Sequence, residues 1–243
     1  MRFCGVELAQ VHPAIRIAKE IPPGMPEREI ETIAGSEGET AAGYTVRRGE
    51  YTVRVGIACR TRLEAWRVRA LLAAWATASG QGTGELEPTH WPGVAYDAIA
   101  QEITPPEFKF GFATVEVVFC LPRPVAHDLA PSTATGSGAL SLGLGGSAAC
   151  RPVMAQTLAA AQAGGLTWTM AGAPLLRLTG SLRAGQTVEA DFGAGSLTVD
   201  GAHAEARIDM TATHFFPGFT PGRHEVASTD AGAMRAQWRC EWV

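Results

Sequence analysis

Short alternating segments separated by glycine-rich turns occupy residues 175–226 and limit most strongly what this chain can fold into. Leu176 and Leu178 alternate with polar neighbours, and Val188 and Ala190 repeat the pattern after a turn. Side chains two residues apart point to the same face of a strand, so this spacing predicts strands with one buried face.

Two turn signals lead to the same prediction. Asp200-Gly201 follows an alternating pair of apolar residues and is typical of a two-residue hairpin. Residues 216–222, Phe-Pro-Gly-Phe-Thr-Pro-Gly, contain two prolines and two glycines, which predicts a rigid surface turn. Together these features predict an antiparallel β-sandwich in the C-terminal half of the chain.

The N-terminal half also carries strand patterns. Residues 44–46 and 51–58 bracket Arg48-Gly49-Glu50, which predicts a hairpin, and the glycine-rich residues 35–43 predict a protruding arm. A further strand is predicted at 113–121. The apolar positions that share a face in these strands are Tyr51, Val53, Val55, Ile57, Val115, Val117 and Phe119.

One helix is predicted at residues 61–79. Thr61 and Glu64 have the spacing of a capping box, in which each side chain accepts a hydrogen bond from the other residue's backbone amide. Gly80 follows as a stop signal. The apolar stripe predicted to face the core consists of Leu63, Trp66, Ala70, Leu71, Ala74 and Trp75.

Four arginines cluster around the first half of this helix, and two interpretations of them remain open. They form a solvated face whose aliphatic stems cover the edges of the apolar stripe, or they contact another subunit or a partner protein. The four residues are Arg60, Arg62, Arg67 and Arg69.

A change of composition after Pro124 predicts a domain boundary. Residues 125–152 are rich in small residues and almost free of charge, which favours a flexible linker or an extended crossover. Residues 152–168 suit a helix by composition and a strand pair by context. A last strand is predicted at 234–243, and the sequence does not decide which domain it packs on.

The predicted fold class is therefore mainly β, with two domains. Residues 1–124 are expected to form a β-sandwich or split-barrel-like domain with one α-helix. Residues 125–243 are expected to form an antiparallel β-sandwich.

Composition and charge exclude several classes of protein. Apolar residues make up 46% of the 243, enough for a packed core, and the net charge of −4 disfavours a dedicated nucleic-acid binder. The five cysteines are widely spaced, which predicts free thiols rather than a disulfide framework or a zinc site. No apolar run approaches the ~18 residues of a membrane helix, and no signal-peptide core follows Met1. We therefore expect a chain that folds in a cytoplasm and contacts no membrane.

No arrangement of residues points to catalysis. The six histidines lack the spacing of a metal-binding helix, and the chain has neither a nucleophile elbow nor a phosphate-binding loop. We predict no enzymatic activity, no cofactor and no metal. Trp168, Trp238 and Trp242 leave a binding function open, because exposed aromatic rings stack on sugars. The alternative is that these rings pack in the core.

The order of these motifs resembles that of the distal tail proteins of siphophages, the Dit family. Phe3-Cys4-Gly5-Val6, the strand before the tryptophan-bearing helix, and VEVVFCLPRP at 115–124 are similar to the first domain of that family. The run LTGSLRAGQTVEADFGAGSLTVDG, then FFPGFTPGRHEV and a terminal aromatic strand resemble its galectin-like second domain.

The resemblance implies a structural virion protein without enzymatic activity. It implies a homo-hexameric ring at the distal end of a long non-contractile tail, in a virion assembled in the host cytoplasm. The ring would join the tail tube protein to the baseplate hub or tail fibre protein, with the tape measure protein as a further candidate partner and DNA only passing through the lumen. The first domains would form the ring. The candidate subunit-interface residues are Tyr44, Arg60, Arg62, Arg67 and Arg69.

The alternative function is a carbohydrate-binding β-sandwich that acts as an adhesion module. Sugar-binding galectins use a His-Asn-Pro-Arg strand that this sequence lacks, and the segment 238–241, Trp-Arg-Cys-Glu, matches only part of their second element. The resemblance therefore does not imply sugar binding by the second domain.

Overall fold

A computed structural model describes the chain over residues 1–24, 28–31, 40–44, 48–211 and 216–243, with only the backbone described at 28–31 and 40–44. The chain is mainly β, as predicted, and its paired strands are antiparallel. It divides into two compact units, residues 1–127 with Val243 and residues 128–242. The sequence prediction placed the boundary after residue 124. No helix in the described ranges is long and apolar enough to cross a membrane.

In its described residues the first unit has two helices, one extended sheet and a separate two-stranded sheet. Its helices are α1 (Leu8–Val11) and α2 (Arg62–Ala76). Its strands are β1 (Arg2–Phe3), β2 (Val6–Glu7), β3 (Ile15–Ile21), β4 (Arg28–Glu31), β5 (Thr40–Tyr44), β6 (Gly49–Ala58), β7 (Gly84–Glu87), β8 (Val94–Ile103), β9 (Glu107–Lys109), β10 (Phe112–Leu121) and β11 (Ala126–Asp128), the last of which ends at the division.

The main sheet has the order β2-β1-β7-β8-β10-β6-β3, and β9 pairs with β10. Strands β6 and β10 pair over their full length, so that Val53 lies opposite Val117 and Tyr51 opposite Phe119. All seven apolar positions predicted for these two strands are fully buried or nearly so. Cross-strand pairs of this kind stabilise one face of the sheet, and helix α2 packs against that face.

An aromatic cluster joins helix α2 to the sheet. The ring of Trp75 meets those of Phe3 and Phe119 at centroid distances of 5.8 and 6.0 Å, both in edge-to-face geometry. The Trp75 Nε1–H donates to the carbonyl of Val6 at 3.0 Å. The buried side of the helix consists of Ala65, Val68, Leu72, Trp75 and Ala76.

This buried side corrects the predicted stripe. Of the six predicted residues only Trp75 faces the core, whereas Leu63, Trp66 and Leu71 are exposed. Apolar residues occupy both sides of the helix, and the sheet covers the side that carries Val68 and Leu72. The helix also ends at Ala76 rather than at residue 79, because the backbone from Thr77 to Gly80 forms a turn.

Strands β4 and β5 form a two-stranded sheet of their own. The predicted hairpin of residues 44–46 with residues 51–58 is therefore wrong, since β5 pairs with β4 and β6 pairs with β3 and β10. Most of the predicted arm at 35–43 lies outside the described residues. The short helix α1 and the strand β8 were not predicted from sequence.

In its described residues the second unit has eleven strands and one short 3₁₀ segment at Glu205–Arg207. The strands are β12 (Ser132–Ser137), β13 (Ala139–Leu144), β14 (Val153–Thr157), β15 (Leu166–Met170), β16 (Ala173–Leu178), β17 (Thr187–Asp191), β18 (Ser196–Val199), β19 (Ala202–His203), β20 (Gly222–Ser228) and β21 (Ala233–Trp238), followed by β22 (Glu241–Trp242).

Two sheets enclose the core of the second unit. One has the order β12-β21-β14-β17-β18-β19 and the other β13-β20-β15-β16. Both contribute to one hydrophobic cluster, for example Met154 and Val188 from the first sheet and Trp168 and Val226 from the second. The predicted antiparallel sandwich is thus confirmed. Asp200 and Gly201 have φ values of 51° and 78°, which is the backbone of the predicted two-residue hairpin.

The structure corrects two local predictions in this unit and decides a third that the sequence left open. Residues 132–144 are strands and not a linker, since Leu140, Leu142 and Leu144 alternate with small residues and are buried. Residues 153–157 and 166–170 are strands, which decides against a helix there. The last predicted strand is interrupted, because β21 ends at Trp238 and β22 begins at Glu241.

Candidate functional site: the outer face of helix α2

Helix α2 begins with the capping box predicted from sequence. The Glu64 amide donates to the Thr61 hydroxyl at 3.2 Å, and the Glu64 carboxylate accepts from the amides of Thr61 and Arg60. These bonds satisfy donors that the first turn of a helix otherwise leaves free. The cap therefore holds the start of the helix, and the residues around it, in one geometry.

The side of α2 that faces away from the sheet carries large apolar side chains. Leu63 is 61% exposed, Trp66 49% and Leu71 45%. Single exposed apolar residues are common on protein surfaces, but several on one helix face mark an interaction site. We call this surface the outer face of α2, and it consists of Leu63, Trp66, Ala70, Leu71 and Ala74.

Three of the predicted interface arginines border this face. The side chains of Arg60, Arg62 and Arg67 are exposed and make no hydrogen bond or ion pair with any residue that the structure describes. Depressions of about 610 Å³ and about 280 Å³ flank the helix; Arg60 and Arg67 line the first, and Arg62 and Trp66 the second. The structure thus brings these cations together beside an apolar surface.

Arg69 differs from the other three. Its guanidinium donates to the carbonyls of Thr104 at 2.9 Å and Ile103 at 2.5 Å, and it lies 5.4 Å from the ring centroid of Trp66. It therefore anchors the helix to the segment after β8 and holds the Trp66 ring by a cation–π contact. The side chain of Tyr44, the fifth predicted residue, lies outside the described part of the structure.

Sequence reasoning missed Phe110, at the turn between β9 and β10. Its side chain is fully exposed, and its φ of 26° is a backbone conformation that bulky residues rarely adopt. Residues held in such conformations cluster at functional sites. The signal in the sequence is the alternation of three phenylalanines, Phe108, Phe110 and Phe112, across Gly111.

Two carboxylates elsewhere, the half-buried Glu20 and the buried Asp230, are engaged within their own units. In the first unit Glu20 accepts from the Tyr51 hydroxyl at 2.8 Å and from the amide of Thr89, and contacts the His90 ring at 3.0 Å. Burial raises the pKa of Glu20, but these hydrogen bonds outweigh it and hold the pKa below its ordinary value.

In the second unit Asp230 accepts from the amides of Ala159, Ala160 and Gly232 and from the side chain of Gln162 at 2.7–3.2 Å. Burial alone would raise the pKa of Asp230, but these bonds lower it. The neighbouring Gln156 accepts from the indole N–H of the buried Trp168 at 2.7 Å. Both carboxylates thus stabilise loops of their own units.

The tryptophans that left sugar binding open do not form an exposed platform. Trp168 is fully buried and Trp238 is 6% exposed, so both belong to the core of the sandwich. The open face of the sheet with β14 carries a depression of about 440 Å³ whose lining contains no aromatic residue. Within the described ranges, no group of three or more potential metal-ligating side chains occurs.

The fold was compared with those of known proteins. No protein-family model and no curated protein sequence matches the chain. The Dit protein of phage SPP1 superimposes on it with a TM-score of 0.78, covering 100% of this chain and 98% of that protein at 11% sequence identity. The chain has the fold of a distal tail protein. The predicted resemblance is confirmed at the level of the fold.

The Dit protein of SPP1 is described as a paradigm of the hub adsorption apparatus of phages that infect Gram-positive bacteria. Two structures of the phage p2 baseplate in its activated conformation, with calcium and with strontium, align over 93% of this chain and 90% of theirs. Their TM-score is 0.43 at 8% identity in both cases, which is too low to indicate a shared fold by itself.

Proposed function

We propose that the chain is a structural component of a siphophage tail, a homo-hexameric ring at the tail tip that joins the tail tube to the baseplate hub or tail fibre. The observation that carries this proposal is the superposition of the whole chain on the Dit protein of SPP1. Both units take part in that match, so the likeness extends beyond a sandwich domain that many unrelated proteins share.

Features of the chain's own surface support an assembly role. A ring subunit needs two different surfaces that bind each other and close by rotation. Permanent interfaces are rich in aromatic residues and arginine, and the outer face of α2 with Arg60, Arg62 and Arg67 has that composition. We propose these three arginines, with Tyr44, as interface residues, and assign Arg69 to holding Trp66 in place.

The proposed role requires no chemistry, and we infer that the chain is not an enzyme. Its partners would be other copies of itself, the tail tube protein and the hub or fibre protein, with the tape measure protein as a further candidate. DNA would only pass through the lumen. The alternative, an adhesion module that binds carbohydrate, lacks support from the aromatic residues that suggested it, because Trp168 and Trp238 are buried.

Electron microscopy tests this proposal. Purified protein is expected to yield six-fold symmetric rings in negative stain, with the mass of six subunits by light scattering. Gold-labelled antibody against the chain is expected to mark only the tail tip of the virions. Labelling of the capsid or along the tail tube would overturn the assignment, and rings with another symmetry would overturn the hexamer.

A further inference from the structure

We propose that the side chain of Phe110 binds the depression beside the start of α2 in a second copy of the chain. The nearly buried residues Cys59 and Val68 line that depression. The exposed residues Arg60 and Arg67 line it as well. The inference rests on the proposed ring only for the presence of further copies, and it names the segment that would meet the two arginines.

Phe110 and Gly111 form the two-residue turn between β9 and β10. Lys109 pairs with Phe112 across this turn, and the two turn residues have φ values of 26° and 78°. A hairpin turn with positive φ at both positions usually has asparagine, aspartate or glycine first, because positive φ crowds a larger side chain. The turn itself therefore gives no reason for a phenylalanine.

Three other hairpins of the chain show what the same turn requires. Cys4-Gly5, Ala171-Gly172 and Asp200-Gly201 also join paired strands through two residues of positive φ. Their first residues are small or polar, whereas Phe110 is large and apolar. Its ring is fully exposed, so it adds nothing to the packing of its unit. A strained backbone that presents an exposed aromatic ring indicates a binding role.

The depression beside α2 has the composition that binds an aromatic ring. Its volume of about 610 Å³ is that of a pocket for a small organic group. Cys59 and Val68 supply apolar surface, and the side chains of Arg60 and Arg67 make no hydrogen bond or ion pair with any residue in the described ranges. A guanidinium stacks on an aromatic face, and it does so more strongly when the pair is removed from water.

The Phe110 ring does not bind the depression of its own chain. Gly111 belongs to the lining, which places the turn at the edge of the depression. The Phe110 ring is nevertheless fully exposed, so it contacts no part of that lining. One region of the first unit thus carries both halves of a contact, an exposed ring and a surface of matching chemistry. Insertion between copies would remove both from water, and paired aromatic and arginine anchors dominate the binding energy of interfaces.

Photo-cross-linking of the full chain tests which segment binds the depression. Phe110→p-benzoylphenylalanine places a photoreactive ring at the turn, and unlabelled chains are mixed with isotope-labelled chains before illumination. Mass spectrometry is expected to find cross-links to residues 58–68 that join a light chain to a heavy one. Met210→p-benzoylphenylalanine, at an exposed apolar residue of the second unit, is the matched control and is expected to give no cross-link to residues 58–68.

Two substitutions at Phe110 separate the contact from the fold. In Phe110→Gly, relief of the positive φ offsets the greater freedom of glycine in the unfolded chain, so thermal melts are expected to show that stability is maintained. Self-association measured by light scattering is expected to weaken about ten-fold or more, because an aromatic anchor is lost. Phe110→Tyr keeps the ring and is expected to associate like the unaltered chain.

A double substitution tests the other half of the contact. Arg60→Ala with Arg67→Ala removes two exposed guanidinium groups, which is expected to weaken association and to abolish the cross-links from position 110 while the melts stay unchanged. Arg151→Ala with Arg183→Ala, at two exposed arginines of the second unit, is the matched control and is expected to change neither.

Contrary results overturn the contact. Cross-links confined to one copy, or directed to another segment, would show that Phe110 does not bind the depression of a second copy. Unchanged association of Phe110→Gly, or a loss of stability that accompanies the loss of association, would show that the ring is not an anchor between copies. A chain that stays monomeric at the highest accessible concentration also refutes the contact. Antibody labelling decides the tail location separately, so the tail-tip assignment can stand when this contact fails.

Discussion

The two tryptophans of helix α2, Trp75 and Trp66, lie in opposite environments. Trp75 is 5% exposed, contacts two phenylalanine rings edge to face and donates its indole N–H to a backbone carbonyl. Trp66 lies on the other side, is about half exposed and contacts the guanidinium of Arg69. One tryptophan fills the core of the unit, and the other is held in place at the surface.

Trp75 therefore contributes to the stability of the unit, whereas Trp66 offers apolar area to a binding partner. Burial of the Trp75 ring contributes to the free energy of folding, because its apolar area is removed from water when the unit folds. Much of the apolar area of Trp66 remains in water after folding, so it is available to a partner. The fold thus both exposes Trp66 and holds it in one position.

The largest expected effect is that of Trp75→Ala. Removing a buried tryptophan leaves a cavity between the helix and β10, so we expect the first unit to lose about 4 kcal/mol of unfolding free energy. Trp66→Ala is expected to stay within about 1 kcal/mol, since the site is open to solvent. Hydrogen exchange at strands β6 and β10 measures the loss of unfolding free energy in both variants. Equal losses would show that the two tryptophans do not differ in their contribution to stability.

The same contrast between a buried and a more exposed side chain can be tested on two carboxylates of the second unit, Asp230 and Asp191. Asp230 is 3% exposed and accepts from three backbone amides and one side chain. Asp230→Ala leaves these buried donors without a partner, which is expected to cost about 3 kcal/mol. Hydrogen exchange at β14 and β21 reports the loss. Asp191→Ala, on a more exposed carboxylate of β17, is the matched control, and a similar loss there would remove the distinction.

Arg67 and Arg69 lie two residues apart and compare an exposed arginine with one that is bonded within its own unit. Arg69→Ala removes two hydrogen bonds to backbone carbonyls and the cation–π contact with Trp66. We expect a loss of about 2 kcal/mol for it, and a change within about 0.5 kcal/mol for Arg67→Ala. Thermal melts decide this order, and a larger cost at Arg67 would show that its guanidinium is engaged within the unit.

The smallest expected effect is a dependence on pH. The hydrogen bonds to Asp230 hold its folded-state pKa below the ordinary 3.8. Its contribution to stability is therefore complete above about pH 4 and is lost as the pH falls through the folded-state pKa. The unaltered second unit should lose more stability between pH 6 and pH 3 than an Asp230→Asn variant does. Equal slopes would show that another carboxylate controls the acid response.

The sequence predicted two of the three ten-residue strands in the described part of the chain, β6 and β10 but not β8, and it predicted the helix incompletely. Alternation at 51–58 and 113–121 matched the buried positions of β6 and β10, because only one face of those strands is apolar. In α2 both sides are apolar, so periodicity predicted a helix but not the side that packs on the sheet. The prediction of a linker at 125–152 misses the strands at 132–144, because β12 alternates small residues with little difference in hydropathy and the apolar alternation of β13 covers only three leucines.

Sequence patterns also predicted the candidate surface only in part. The arginines were recognised as a cluster, but the sequence did not separate Arg69, whose carbonyl partners lie more than thirty positions further along the chain. Phe110 was missed because neither its exposure nor its positive φ is visible in a pattern of apolar residues.

By itself, the sequence determined the elements whose causes are local. Alternation, the Thr61–Glu64 cap and the Asp200-Gly201 turn each depend on a few neighbouring residues, and each was found as predicted. Strand partners, the covered side of α2 and the engaged arginine were decided only by the tertiary structure. These choices depend on contacts between distant segments, which compete for the same apolar surfaces and are resolved when the whole unit packs.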